Sequence, residues 1–236
     1  MANASSYPIY QAYVENVRDF IAAEIEIRRG INRALKCGKP HTVRIQTKIY
    51  ALLYSTFAEA NFSKLVLTTY GFEQNFIEQI LHEDKNLQEK WLTCLDLAFQ
   101  KFNANKKASE IPNKKQELKR IIQQFVIEPS IIRNKIAHGQ LSVALNRKGK
   151  DKNSELTNQI SNLDVVSITR LFKINKSLVD ILEDLVESPN YAHHANYYPK
   201  LQNLTAFIET SANWTVASKM AHGNMVKVAR NRQPIL

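Results

Sequence analysis

VVSITRLFKINKSLVDILEDL, residues 165–185, carries apolar side chains at Val165, Ile168, Leu171, Phe172, Leu178, Ile181, Leu182 and Leu185. Steps of three and four set these on one side of an α-helix. The same period continues through nearly the whole chain. Tyr10, Tyr13, Val17, Phe20 and Ile21 begin a first helix, with a stop expected at Cys37-Gly38. Ile45, Ile49, Leu52, Leu53, Phe57 and Ala60 mark the apolar face of a second, with its stop expected at Gly71. Shorter helices are expected over Glu73–His82 and Leu87–Phe102, the latter with Trp91, Leu95, Ala98 and Phe99 on one face. Pro112 is well placed to open the next, whose core residues are Leu118, Ile121, Ile122 and Phe125. The fold class is therefore all-α, a helical bundle over residues 1–187. A helical extension with a basic, fraying tail is expected over 188–236, its helix starting near Lys200.

Composition limits the class of protein. Only six glycines and seven prolines occur among 236 residues, and 44% hydrophobic with 23% charged residues is ordinary for a soluble globular protein. The start, MANASSYP, has no basic stretch followed by an apolar core. No apolar run reaches the roughly 20 residues needed to cross a bilayer. Cys37 and Cys94 stand alone, without metal or redox spacing, which fits a reducing cytoplasm. No membrane partner is expected. The net charge of +10 is uneven, with thirteen Lys/Arg against four acids between Lys101 and Asn153. Such a field attracts phosphate-rich partners over long range.

The chain ends a helical pattern twice with Ala-His-Gly. The first lies in RNKIAHGQ (Arg133–Gln140), the second in SKMAHGN (Ser218–Asn224). Five residues before the histidine the first has Arg133 and the second Ala217. Histidine then glycine is a common helix ending, and His222 reads as that alone. The upstream Arg133-Asn134 suggests chemistry. A short helix capped by Ser130 after the interrupting EPS (Glu128–Ser130) is expected to hold Arg133 and His138 and to stop at Gly139. Arg133 and His138 lie about 140° apart around an ideal helix, whereas Asn134 and His138 share a face. Asn134 is thus expected to orient the imidazole. His138 would sit against the negative end of the helix dipole, which favours its protonated form. Glu59 falls at the edge of the second helix's apolar face, where a lone carboxylate is costly and a basic partner such as Arg133 would relieve it.

Arg133-Asn134-x3-His138 resembles the Arg-x4-6-His signature of HEPN domains, compact all-α bundles whose motif is followed by a loop and a closing helix. Val165–Leu185 takes the place of that helix, and Asn146–Asn158 (NRKGKDKNSELTN) that of a charged, mobile loop. The resemblance implies a metal-independent endoribonuclease without cofactor, acting in stress, toxin or anti-phage defence. In it the ribose 2′-hydroxyl attacks the adjacent phosphorus, leaving a 2′,3′-cyclic phosphate and a 5′-hydroxyl. His138 would be the proton-transferring group, Arg133 the charge stabiliser, Asn134 the orienting residue and Glu59 a support. It implies a homodimer with two motifs facing across a cleft, and an antitoxin or regulatory protein as a further partner. RNA would be guided by Lys106, Lys107, Lys114, Lys115, Lys119 and Arg120, and by Arg147, Lys148 and Lys150. The tyrosine found two residues after the histidine in some HEPN toxins is Gln140 here, which argues against control by modification at that point. The alternative is a non-catalytic module that binds RNA, a nucleotide or a protein.

Other histidines offer less. His193-His194 splay apart and lack a His-x3-His partner, so no metal site is expected. LHED (Leu81–Asp84) lacks the second histidine of a zinc-protease motif. Tyr191, Tyr197 and Tyr198 could stack on bases, but packing within the turn is the commoner use.

Overall fold

A computed structural model describes residues 7–100, 111–187 and 197–222, and among these the architecture is all-helical. Helices α1 (Tyr7–Lys36) and α2 (Pro40–Val66) form a hairpin across three residues. Gly38 makes that turn possible at φ 63°, with the Gly38 and Lys39 amides bonded back to Leu35 and Ala34. Then come α3 (Gln74–Leu81), α4 (Leu87–Gln100), α5 (Ile111–Ile122), a π-helical turn (Gln123–Ile127), α6 (Glu128–Ala137), α7 (Ser154–Ser161), α8 (Val165–Glu187) and α9 (Tyr198–Thr210). No described helix is long and apolar enough to cross a membrane.

Helix α8 is the pillar, as its period predicts. Its lower half joins Tyr50, Tyr54 and Phe57 of α2, whose rings surround Phe172 at 5.2, 5.3 and 5.1 Å between centroids. Each such pair adds about 0.5–1.5 kcal/mol beyond burial. Its upper half, from Ile174 to Val186, packs with α3, α4 and α5 around Trp91. Where the two clusters meet, Asn61 donates to Asn175 at 3.0 Å, a buried amide pair that fixes the register of α2 on α8.

Several sequence expectations change. EPS does not interrupt the chain's helical path. Pro129 has no N–H to give the carbonyl of Phe125 four residues back, and the buried hydroxyl of Tyr54 donates to that carbonyl instead. The π turn lies at this point, and Ser130 donates to Ile127 at 2.7 Å rather than capping α6. Helix α2 ends at Val66, before Gly71; glycine is needed there because a Cβ would come within 2.9 Å of Val186. The buried stripe of the second helix keeps Phe57 and Ala60 as expected but shifts in its first half. Tyr50, Tyr54 and Ala58 are inside, while Ile45 and Ile49 are 46% and 47% exposed.

Finally, the loop expected over 146–158 is structured. Asn146 donates to Asp151 at 2.8 Å and Asn153 to Ala144 at 2.7 Å, with Gly149 at the bend. Asn153 then caps α7, accepting from Leu156 at 2.9 Å. Helix α9, within the span expected to form an extension, belongs to the main core through Leu201, Leu204 and Ile208. It is tied to α8 by Lys200, 2.9 Å from Asp180 and 2.5 Å from Asp184.

Candidate functional site

Helix α6 ends in a tight glycine cap. Gly139, at φ 82°, bonds its amide to Ile136 at 3.0 Å, and Gln140 bonds to Lys135 at 2.9 Å. These two crossed bonds satisfy the last carbonyls and leave His138 at the helix end with its imidazole exposed. Asn134 meets His138 only through the main chain, its carbonyl accepting from the His138 amide at 3.1 Å. The expected orienting contact between their side chains is not made. Spacing of four residues puts both on one face, but each is drawn out to solvent.

One turn earlier, Arg133 donates from Nη2 to Oε1 of Glu59 on α2. The pairing expected from Glu59's position is there. Nε of Arg133 is buried without an acceptor among the described residues. Arg133 is 26% and Glu59 43% exposed, so solvent, and a ligand's oxygen, can reach the pair.

Beyond Gly139 the chain forms a strap from Leu141 to Asn153. Three residues given no structural role by the sequence fasten it beside α6. Lys48 of α2 donates to the carbonyl of Leu141. Lys135 donates to that of Leu145 at 2.7 Å, and the Gln140 side chain accepts from the Leu145 amide at 2.8 Å. Burial, with Arg44 nearby, pushes the Lys48 ammonium below its ordinary pKa, so the Leu141 carbonyl is a needed partner. The signal available was the lysine itself, set among Thr47, Tyr50 and Ala51 on the inward side of a helix.

The expected RNA-guiding residues divide. Arg147, Lys148 and Lys150 are exposed at the tip of the strap, close in sequence and fastening to the motif. Lys119 and Arg120 line a separate hollow of about 430 Å³ beside the π turn. Lys115 is held by Asp96 at 2.8 Å, and Lys114 lies over the ring of Tyr198. Lys106 and Lys107 fall outside the described residues, as do Tyr191, His193 and His194. Tyr197 is fully buried in the main core, edge-on to Phe99 at 6.3 Å between ring centres.

Compared with known proteins, the chain matches no protein family, no curated protein and no solved structure.

Proposed function

We propose that this chain is a metal-independent endoribonuclease that cleaves RNA through Arg133 and His138, in stress, toxin or anti-phage defence. The reading rests on one observation. An accessible guanidinium and an exposed imidazole share the last turns of α6, beside a fastened strap that carries Arg147, Lys148 and Lys150. His138 takes the 2′-hydroxyl proton or protonates the leaving 5′-oxygen, a role worth about 10²–10⁴ in rate. Arg133 offers its remaining N–H groups to the non-bridging oxygens as their charge grows. The strap's cations hold the backbone on either side.

Two proton transfers ask for two general acid–base groups, and a second copy of the chain supplies the other His138. A face for that copy is at hand. Ile45 and Ile49 on α2, and Leu141 and Val143 on the strap, are about half exposed, and the Lys48–Leu141 bond joins the two segments.

A second reading has its own support. The Arg133–Glu59 pair also serves to neutralise Glu59, as in a non-catalytic module that binds RNA, a nucleotide or a protein. End-labelled RNA incubated in EDTA with wild type, Arg133→Ala and His138→Ala separates the two. Cutting by wild type alone, with cyclic-phosphate ends, is expected. Equal cutting by all three proteins, or binding indifferent to His138 without cutting, would overturn the enzymatic reading.

A further inference from the structure

A cavity of about 940 Å³, whose lining includes none of Glu59, Arg133 and His138, lies between α1, the first half of α8 and the helical turns at 216–222. Helix α8 sends its apolar side to the core and a cationic row, Arg170, Lys173 and Lys176, into this cleft. Arg28 enters from α1 and Lys219 from the C-terminal turns, with His222 at the same wall. Five fixed cations thus line one hollow. The one lining carboxylate, Glu24, is already committed, 2.7 Å from Arg28 Nε and accepting from the Tyr50 hydroxyl at 2.8 Å. Asp164, the next acid within range of Arg170 and Lys219, is also engaged. Its Oδ1 accepts from the Val166 and Ser167 amides at the start of α8, at 2.7 and 3.0 Å, and its Oδ2 from the Ser167 hydroxyl at 2.8 Å.

Several of these cations are held by neighbouring groups. Arg170 is anchored by Ser211 at 2.9 Å and the Ile208 carbonyl at 3.3 Å, which fixes its direction. Lys173 stands 5.4 Å from the Phe207 ring centre and 5.9 Å from that of Trp214. Burial is the leading cause that lowers the pKa of Lys176, Lys219 and Arg170 below their ordinary values. Like charges gathered in a half-buried cleft, offset only in part by Glu24 and Asp164, cost stability in the empty state. A multiply charged anion removes that cost. The rest of the wall is apolar or aromatic, with Ile21, Ile25 and Val166 on one side and a half-exposed Trp214 on the other. A planar body fits beside the indole while its charged end meets the lysines.

We infer that this cleft binds a small organic polyphosphate with a planar ring, of the nucleoside di- or triphosphate class. Its phosphates lie among Arg28, Arg170, Lys176 and Lys219, and its ring lies against Trp214. Binding draws residues 214–222 onto α1 and α8, since Trp214 and Lys219 come from the first and Arg28, Arg170 and Lys176 from the others. The site needs neither Arg133 nor His138, so it stands or falls apart from the proposed cleavage.

The test uses the full chain and calorimetric titration with ATP, inorganic pyrophosphate and adenosine as probes, against wild type, Lys176→Met, Lys219→Met and His138→Ala. Methionine keeps the length and apolar stem of lysine while removing its charge. ATP is expected to bind wild type and His138→Ala alike, pyrophosphate more weakly, and adenosine not measurably. Either methionine variant is expected to weaken ATP at least tenfold, while its ligand-free Tm stays level or rises by a few degrees. The site is overturned if ATP fails to bind at millimolar concentration, or if both methionine variants bind it as wild type does. It is overturned in favour of an RNA track if single-stranded RNA displaces ATP and loses more affinity than ATP does in the same variants.

Discussion

The two Ala-His segments of this chain share a local sequence and differ in how their surroundings handle charge. Around His138 the cations that fasten α6 are answered: Arg133 by Glu59, Lys135 by the Leu145 carbonyl, Lys48 by the Leu141 carbonyl. Around His222 five cations share a hollow, and its lining carboxylate is already taken by Arg28 and Tyr50. The first arrangement holds its parts without a ligand and leaves one imidazole exposed. The second is incomplete until an anion arrives. A histidine's neighbours in sequence therefore say where the helix stops, and its neighbours in space say what the place is for.

The sharpest way to break this contrast is to remove each histidine. His138→Ala is expected to lower RNA cleavage by about 10²–10⁴, and His222→Ala to leave it within twofold, both read on end-labelled RNA. Equal losses would mean that the two endings are not distinct in role. Arg133→Ala comes next. Because the Glu59 pair is part-exposed, its stability cost is expected below about 1 kcal/mol, while cleavage falls by about 10²–10³. A large loss of stability in urea with intact cleavage would make the pair structural. Replacing Arg147, Lys148 and Lys150 together by alanine is expected to flatten the slope of log affinity for single-stranded RNA against log salt by about 2. No change in slope would remove the strap from the RNA path.

Smaller effects concern what holds α6 in place. Tyr54→Phe leaves the Phe125 carbonyl without its side-chain donor, an expected cost of about 1–3 kcal/mol at neutral pH. Burial also holds the Tyr54 phenol above its ordinary pKa. The folded state keeps a proton that the unfolded chain releases above pH ~10, so stability is lost as pH rises past that point. Urea titrations at rising pH should show a shallower alkaline fall in Tyr54→Phe. Gly139→Ala, with open space around it but φ at 82°, is expected to cost only about 1 kcal/mol, checked by thermal unfolding.

Much of the fold was legible because helical period is a local property. Val165, Ile168, Phe172 and Leu178 announce α8, and Cys37-Gly38 announces the end of α1. Glu59 and Arg133 were legible as a pair because a carboxylate at the edge of an apolar face needs a partner. What escaped was settled at a distance. Tyr50 and Tyr54 displaced Ile45 and Ile49 from the core because their rings close on Phe172, 118 residues beyond Tyr54 by chain number. The strap read as a loose charged loop because its order comes from Lys48, Lys135 and Gln140, whose partners are carbonyls and amides that every residue possesses. The cationic cleft was invisible for the same reason. Arg28, Lys176 and Lys219 are unremarkable lysines and arginines until α1, α8 and the C-terminal turns are side by side.

The π turn at Gln123–Ile127 gives the motif an unusual dependence on length. A π turn is an α-helical stretch that has taken in one more residue than its pitch allows. Each residue turns a helix by about 100°. The direction in which Arg133 and His138 point is thus set by how many residues precede them, as much as by which ones. Losing a single glutamine at 123 or 124 would swing the whole of α6 about its axis relative to α5, carrying Arg133 away from Glu59 without altering a residue of the motif. Related chains that keep Arg-Asn-x3-His but differ by one residue upstream would spell the same word facing another way.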